Sequence, residues 1–143
     1  MAGLHGEYRH KLDAKGRLSL PAAFRKALSG DSVIVTLSPT NDYLCVFEDG
    51  AFDSWVDSLF EKDGGYSASN RQHLKARKVL NSRANDIVID GSGRIGLSSA
   101  LRSGAGLDKD VVLIGDDDHF EIWDAQAWDD FCDDVDLTAL FVG

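Results

Sequence analysis

The sequence predicts an α+β fold that is dominated by a β-barrel, in which two similar halves pair about a pseudo-twofold axis and carry short flanking helices. Three observations lead to this prediction. A segment near the N-terminus recurs 77 positions later, apolar residues alternate as they do in β-strands, and each half ends in an amphipathic helix. Half of the 143 residues could hold only a marginal core, so we expect the two halves to build one core together.

The repeat is clearest around an Asp-x-x-x-Arg turn. Asp13–Arg25 matches Asp90–Arg102, with identical Asp, Gly, Arg, Leu, Ala and final Arg residues. After the loss of one residue from the second copy, Tyr43–Phe47 matches His119–Trp123 at an offset of 76. Matches that continue along the chain with one small gap indicate an internal duplication.

Each half is predicted to contain the same elements in the same order. A short strand enters the turn, and a second strand with alternating leucine or isoleucine residues leaves it. A short helix and then a hairpin of two apolar strands follow. The first strand is expected at Tyr8–Leu12 and Asp86–Ile89. The short helix is expected from Pro21 to near Gly30, and its counterpart is capped by Ser98. The third strand is expected at Val33–Leu37 and Val111–Ile114, and the fourth at Tyr43–Phe47 and Phe120–Trp123.

Longer helices complete the halves and connect them. Apolar spacing of i, i+3, i+4 and i+7 predicts one amphipathic helix through Phe52, Trp55, Val56 and Leu59, and another through Trp128, Phe131, Cys132 and Val135. Asn70 is expected to cap a connecting helix that runs to about Leu80. The predicted organisation is a first repeat at residues 5–52, a helical connection at 53–81, a second repeat at 82–126, and a C-terminal amphipathic helix and tail at 127–143.

Charge is segregated along this acidic chain, whose net charge is −9. Residues 1–30 carry +4 and residues 70–109 carry +5, whereas residues 31–69 carry −7 and residues 110–143 carry −11. This balance argues against a general coat for nucleic acid. A fold that joins the two basic blocks would nevertheless produce one positive face on an acidic body.

Several function classes find little support in the sequence. No apolar run is long enough to span a membrane, and the charged residues 1–10 do not resemble a signal peptide. Cys45 and Cys132 are predicted to be reduced core thiols of a cytoplasmic protein, without metal-site spacing. The acidic C-terminal residues lack the ligand spacing of a calcium loop. The histidines are scattered along the chain at His5, His10, His73 and His119. We therefore expect no metal, no cofactor, no small-molecule substrate and no enzyme activity.

The two turns carry the side chains best suited to binding. Lys15 and Arg17 lie at the first turn and Arg94 at the second, and arginine can grip guanine or phosphate through two hydrogen bonds. If the halves pair, Arg17 and Arg94 are expected on one face. The local pattern leaves open the alternative that each arginine only locks its own turn onto its aspartate. The residues expected to shape the turns, by accepting amide hydrogen bonds or by permitting a tight backbone, are Asp13, Gly16, Asp90 and Gly93.

Other cations could extend this binding surface. Arg25 and Arg102 end the two short helices, where the helix dipole favours positive charge, and are interpreted as structural. Basic residues spaced along a helix more commonly form a solvated helix face, which is the alternative for the lysines below. The candidates for phosphate contact are Arg9, Lys11, Lys75 and Lys78.

The first turn segment, Asp13–Arg25, and its weaker repeat at Asp90–Arg102 resemble the MraZ family. The resemblance runs from about Gly6 to Trp128. It implies two SpoVT-AbrB units that interleave as a double-split, swapped-hairpin barrel, and chains that assemble into a ring. It also implies a transcriptional regulator, associated with the nucleoid, that binds direct repeats in its own promoter within the division and cell-wall gene cluster.

The resemblance also assigns roles to the turns, because the Asp-x-x-x-Arg turns are the family's DNA-binding signature. Lys15 and Arg17 match the first signature and Arg94 matches the second. The second half departs from the family pattern, since Ser98 stands where proline is usual and Ser92 where a longer polar residue is common. We therefore expect the first turn to be the stronger contact.

Two other functions remain open from the sequence. An AbrB-type antitoxin would bind DNA with its barrel and a toxin with an acidic tail, which the acidic C-terminus fits only superficially, because its amphipathic pattern predicts a folded helix. An oligomeric scaffold without DNA affinity is the other alternative.

Overall fold

The computed structural model describes residues 3–142 as an α+β fold with a mostly antiparallel sheet and short helices, as the sequence predicts. Met1 and Ala2, and Gly143 at the end of the predicted tail, lie outside the described residues. The strands are β1 (Glu7–Lys11), β2 (Arg17–Ser19), β3 (Ser32–Leu37), β4 (Leu44–Phe47), β5 (Asn85–Val88), β6 (Arg94–Gly96), β7 (Asp110–Asp116) and β8 (His119–Asp124).

The helices are short, and several begin at the predicted residues. They are α1 (Ala22–Ala27), α2 (Ala51–Ser58), α3 (Arg71–Ser82), α4 (Ser99–Gly104) and α5 (Ala125–Asp133), with 3₁₀ turns at Glu61–Asp63 and Leu137–Leu140. The Asn70 side chain accepts from the backbone N–H groups of Gln72 and His73, and Ser98 Oγ accepts from that of Leu101. Both predicted caps are therefore confirmed, and each satisfies an N–H group that the first helical turn leaves unpaired.

The first helix differs from its prediction at both ends. Pro21 precedes α1 as its cap instead of opening it, and α1 ends at Ala27 rather than near Gly30. The physical reason for the early end is that Leu28 adopts an extended backbone, with φ −78° and ψ 133°.

The strand order is symmetric in the two halves. β1-β7-β8-β4-β3-β5 form one sheet, and β2 and β6 pair as a separate ribbon. The first strand of each half pairs with the third strand of the other half, because β1 pairs with β7 and β5 with β3. Within residues 3–142 the larger sheet has β1 and β5 as its edges, so the predicted barrel closure stays a prediction.

Two cross-strand pairs lie on the pseudo-twofold axis. Leu18 pairs with Ile95 in the ribbon, and these residues occupy equivalent positions in the repeat. Cys45 pairs with Glu121 between β4 and β8, and these residues are also equivalent. The axis therefore passes through the ribbon and through the centre of the sheet.

The core has two parts, one on each face of the sheet. Between the sheet and the ribbon, Leu18 and Ile95 pack in a buried cluster with apolar side chains such as Val35, Leu113 and Phe120. On the other face, Cys45 and Phe47 of β4 pack with Phe52 and Val56 of α2. The inner cluster draws on both halves, which agrees with the expectation of a shared core.

The C-terminal region exposes more apolar surface than its pattern predicts. Cys132, expected in the core, is exposed along with every residue from 129 to 142, whereas Cys45 is buried. Phe131 and Val135 are each 48% exposed, so the predicted apolar stripe is only partly covered. No helix in the described part of the chain is both long and apolar enough to cross a membrane.

Candidate nucleic-acid interface

The first turn is organised by the Asp13 carboxylate. Its Oδ1 accepts from the backbone N–H groups of Lys15 at 2.9 Å and Arg17 at 2.8 Å, and its Oδ2 accepts from Arg17 Nε at 2.6 Å. Gly16 closes the turn with φ +76°, a conformation that glycine adopts without strain. One aspartate therefore fixes both the backbone of the turn and the direction of its arginine.

The second turn repeats this arrangement. Asp90 Oδ1 accepts from the N–H groups of Ser92 at 2.9 Å and Arg94 at 3.0 Å, and its Oδ2 accepts from Arg94 Nε at 3.0 Å. Gly93 has the same φ of +76° as its counterpart. The two turns thus present their arginines in the same way, but Ser92 stands where the first turn has a lysine.

The ribbon brings the two arginines together on its outer face. Arg17 pairs with Gly96 and Arg94 with Ser19, while the intervening Leu18–Ile95 pair is fully buried. Side chains alternate between the faces of a strand, so Arg17 and Arg94 project away from the core. Nη1 of Arg94 lies 4.0 Å from Asp13 Oδ2, which joins the two turns directly.

Each arginine retains free donors although its Nε is bound to aspartate. The side chains of Arg17 and Arg94 are 37% and 31% exposed, and Lys15 is exposed at the tip of its turn. A structural role and a binding role for these arginines are therefore compatible, because Nε holds the turn and the guanidinium carries further N–H donors on its terminal nitrogens.

The carboxylates of the turns are held in their charged form. The backbone N–H of Arg17 lowers the pKa of Asp13 to about 2, and that of Arg94 likewise lowers the pKa of Asp90. Hydrogen bonds to a carboxylate favour ionisation. The turns consequently keep their geometry at neutral pH.

Arg25 and Arg102 have a role that the sequence interpretation missed. A Cβ on Gly93 would lie 2.5 Å from Arg25 Nη1, and a Cβ on Gly16 would lie 2.9 Å from Arg102 Nε. The short helix of each half thus places its arginine over the turn of the other half. Their identity in both repeats was the available signal, but only the swapped pairing shows which turn each one covers.

The remaining candidates are not equivalent to the turn residues. Arg9 binds Asp129 at 2.7 Å and Glu7 at 3.2 Å, so its guanidinium ties β1 to α5. Lys11 lies 3.5 Å from Asp110, with both side chains well exposed. Of these two, Lys11 is better placed for a phosphate contact because an exposed ion pair is weak and easily exchanged.

Lys75 and Lys78 lie apart from the two turns. Both are exposed on α3, which precedes β5, whereas the second turn follows β5 at its other end. The intervening strand separates α3 from Asp90 by on the order of 15 Å at about 3.3 Å per residue. The fold therefore brings Lys15, Arg17 and Arg94 together but leaves the α3 lysines outside this patch.

Comparisons with known proteins identify a family and several relatives that the chain resembles. A family model described as "MraZ protein, putative antitoxin-like" matches residues 4–77 and 80–139. The chain is 36% identical to the Transcriptional regulator MraZ of Nitrosomonas eutropha over 127 residues, covering 87% of this chain and 82% of that protein. It is 41% identical to the protein of the same name from Mycolicibacterium smegmatis over 129 residues, covering 88% and 84%. Corynebacterium glutamicum has a third such protein, 42% identical over 123 residues, with coverage of 86% and 82%.

Proposed function

The chain belongs to the MraZ family, and we propose that it is a sequence-specific DNA-binding transcriptional regulator and not an enzyme. The observation that carries this proposal is the pair of arginines, Arg17 and Arg94, on the outer face of one ribbon. Relatives with 34–42% identity are named transcriptional regulators, which supports the same function here.

The two-stranded ribbon of β2 and β6 is a type of element that the major groove of B-DNA admits. Lys15, Arg17 and Arg94 would contact base edges or phosphates, with Arg17 and Arg94 able to use their free terminal nitrogens. Asp13 and Asp90 would position them without touching DNA. Arg25 and Arg102, which lie over the opposite turns, add positive charge beside the contact surface.

We extend the proposal to the architecture of the DNA-binding unit. The two repeats, at residues 5–52 and 82–126, act as SpoVT-AbrB units, and the sheet and ribbon together form a double-split, swapped-hairpin barrel. The exchange of first strands between the halves supports this view. A connection at 53–81 and a C-terminal segment at 127–143 flank the two units.

The DNA target is proposed to be short direct repeats in the promoter of the division and cell-wall gene cluster to which the protein's own gene belongs. One chain offers few cations on an acidic body, so a single contact should be weak. A ring that places several chains on successive repeats gains affinity through effective concentration. A protein with this role would be found in the cytoplasm, associated with the nucleoid.

The exposed apolar residues of the C-terminal tail are an argument that chains contact one another in such a ring. Its apolar side chains at Leu137, Leu140 and Phe141 are 64%, 77% and 88% exposed, and acidic residues precede them. A groove of about 540 Å³ between α3 and the residues that follow α2 is lined by apolar residues together with Lys75 and Arg83. We propose that the tail of one copy occupies this groove of the next, because apolar and charged surfaces are complementary on the two sides.

An AbrB-type antitoxin is the second candidate function. The matched family carries the words "antitoxin-like" in its description, which supports this alternative. In that case the exposed tail would bind a toxin protein in place of a second copy. Size measurements on the purified chain separate the two, because self-assembly without any partner favours the ring.

The proposal is tested by binding of the full-length chain to DNA from upstream of its own gene, measured by fluorescence anisotropy. Affinity should rise steeply with the number of direct repeats and fall with salt. Arg17→Ala should weaken binding, whereas Arg71→Ala, on exposed α3, should not. Unchanged affinity after Arg17→Ala would remove the turn from the interface, and absence of any salt-sensitive binding would favour the scaffold.

A further inference from the structure

A second group of reactive side chains lies on the face of the sheet opposite the ribbon. Cys45 on β4 pairs with Glu121 on β8, and His119 stands two residues before Glu121 on the same face. Their exposed fractions are only 1%, 8% and 7%. One ligand atom from each residue can be chosen so that all three lie within 4.8 Å of one another. The sequence did not predict this cluster, because Cys45 and His119 are 74 positions apart along the chain.

The hydrogen bonds around the cluster leave one atom of each residue facing the others. His119 Nδ1 lies 2.8 Å from Asp118 Oδ1, and Trp123 Nε1 donates to Glu121 Oε1 at 3.0 Å. The other ring nitrogen, His119 Nε2, lies 3.0 Å from Glu121 Oε2. In metal sites a histidine ligand commonly donates its second N–H to a carboxylate, and carboxylate ligands are themselves hydrogen-bonded. Asp118 and Trp123 are placed to supply those two outer contacts.

The Cys45 thiol is the third donor, and its own polar contacts are unfilled. Within residues 3–142, no hydrogen bond reaches its Sγ, although the residue is almost completely buried. Burial raises the pKa of this thiol, and the nearby Glu121 and Asp116 carboxylates raise it further. A bound cation reverses this effect, because a coordinating thiol gives up its proton.

The surroundings supply negative charge without a compensating lysine or arginine. Asp116 Oδ2 lies 3.8 Å from His119 Nε2, and residues 110–143 contain no basic side chain other than this histidine. No lysine or arginine of the described chain forms an ion pair with Asp116, Asp118 or Glu121. Of these three carboxylates only Glu121 is buried, and a buried carboxylate requires a proton, a charged partner such as a protonated His119, or a bound cation to offset the cost of desolvation.

We propose that Cys45, His119 and Glu121 bind a divalent transition-metal ion of the zinc type. Thiolate, imidazole and carboxylate together form a donor set that zinc accepts in tetrahedral sites. Asp116 or water completes the coordination as a fourth ligand. A groove of about 490 Å³ that Asp42, Asp116 and Glu121 line with aromatic side chains opens beside the cluster and provides an entry path.

The position of this site gives it a structural role. Cys45 comes from the first half of the chain, whereas His119 and Glu121 come from the second, and β4 and β8 form the central seam of the sheet. A metal ion would therefore cross-link the two halves at the pseudo-twofold axis. Because the unfolded chain does not hold these donors together, binding should stabilise the fold.

The test uses the full-length chain, freed of metal by a chelator and titrated with Co²⁺ as a spectroscopic probe. We expect one equivalent per chain, with a sulfur-to-cobalt charge-transfer band and the intense visible bands of a four-coordinate ion. Zn²⁺ should displace Co²⁺ and raise Tm by roughly 8 °C at a hundredfold excess over Kd. Cys132→Ser, which alters the exposed cysteine, should leave all three results unchanged.

Two variants make the outcome decisive. Cys45→Ser should abolish the charge-transfer band, and His119→Gln should weaken Co²⁺ binding at least tenfold while circular dichroism shows an intact fold. If Cys45→Ser does not fold, the His119→Gln comparison carries the test. The proposal is wrong if the wild-type chain lacks the charge-transfer band, or if the band survives Cys45→Ser and disappears with Cys132→Ser. These readouts do not involve DNA, so they stand apart from the proposed regulatory function.

Discussion

Arg94 contacts the aspartates of both turns. Its Nε donates to Asp90 Oδ2 at 3.0 Å within its own turn, and its Nη1 lies 4.0 Å from Asp13 Oδ2 in the other half. Among the described ion pairs, Arg17 is held by Asp13 alone. The two arginines therefore share one carboxylate, and Arg94 has the more restrained guanidinium of the two.

This asymmetry predicts unequal effects on DNA binding. Arg17→Ala should weaken binding to promoter repeats by about 10- to 100-fold, since a good base contact is worth roughly 1–3 kcal/mol. Arg94→Ala should cost less, because that side chain is less exposed and lacks a neighbouring lysine. Anisotropy titrations at fixed salt measure both, with Arg71→Ala as the matched control. A larger loss for Arg94→Ala would reverse the assignment of the stronger turn.

Salt dependence should distinguish lysines at the turn from those on α3. Removing one phosphate contact with Lys15→Ala should reduce the slope of log K against log salt by about 0.9. Lys78→Ala should leave the slope unchanged, because α3 lies away from the turns. Titrations at several salt concentrations provide the measurement. An equal change of slope for both variants would extend the DNA surface to α3.

Substitution of either turn glycine by alanine should lower stability, but removal of the arginine that covers the turn should restore stability only at the second turn. Gly16→Ala and Gly93→Ala should each cost roughly 1–3 kcal/mol of stability, because both residues have φ +76° and crowded surroundings. Arg25→Ala should recover part of the Gly93→Ala loss, since the alanine Cβ would mainly meet the Arg25 side chain. Urea unfolding of the single and double variants gives these values.

At the first turn, Arg102→Ala should not recover the stability that Gly16→Ala loses. A Cβ on Gly16 would lie 2.8 Å from the backbone oxygen of Leu97, which Arg102→Ala does not remove. Gly91→Ala is the control, because a Cβ there has no neighbour within 4 Å. Equal rescue at both turns would show that the Leu97 oxygen contributes little to the cost, whereas absence of rescue at both would show that backbone strain, and not contact with the arginines, dominates it.

Stability should fall in acid as the turn carboxylates are protonated. The pKa of Asp13 is lowered to about 2 by the hydrogen bond from the Arg17 N–H, whereas the ordinary value is 3.8. A lowered pKa in the folded state adds stability that is present above the ordinary value and lost as pH falls towards about 2. Asp13→Asn should therefore flatten the dependence of the urea midpoint on pH between about 4 and 2.

The control for this effect is an aspartate without such bonds. Asp57→Asn, on exposed α2, should leave the pH profile of the urea midpoint unchanged. If Asp13→Asn and the wild-type chain lose stability in parallel through this range, the Asp13 turn is not a source of the acid sensitivity.

Assembly should depend on the exposed tail. Leu140→Ser together with Phe141→Ser should reduce the oligomer to smaller species in light scattering, because these apolar side chains of the tail are 77% and 88% exposed. The control is Ala139→Ser, a substitution in the same 3₁₀ turn as Leu140, which should leave the size of the oligomer unchanged. A full-sized oligomer in the double variant would place the contact between chains elsewhere.

Local patterns in the sequence predict most elements of this fold. The caps at Asn70 and Ser98 and the two hairpins are encoded by short-range spacing, and each is present. The turn residues were identified for the same reason, since Asp13 and Arg17 are four positions apart in one turn. Their role in binding stays a prediction, whereas the family match confirms the family that the turn segments indicate.

The features that escaped prediction depend on long-range pairing. Nothing local shows that Arg25 covers Gly93, because that contact follows from the exchange of β1 and β5 between the halves. The meeting of Cys45 with His119 and Glu121 likewise requires the β4–β8 register. Exposure of Cys132 depends on which residues of α5 pack against the sheet, which the apolar spacing does not reveal.

The pairing of Cys45 with Glu121 has a consequence for how such a protein can change over evolution. In a homodimer of identical half-length chains, any residue on the twofold axis faces its own copy, so thiol would meet thiol and carboxylate would meet carboxylate. Fusion of the two halves into one gene removes this constraint, and the axis here carries two different residues. Single-chain duplication thus makes the most symmetric position in the molecule available for an asymmetric pair of donors.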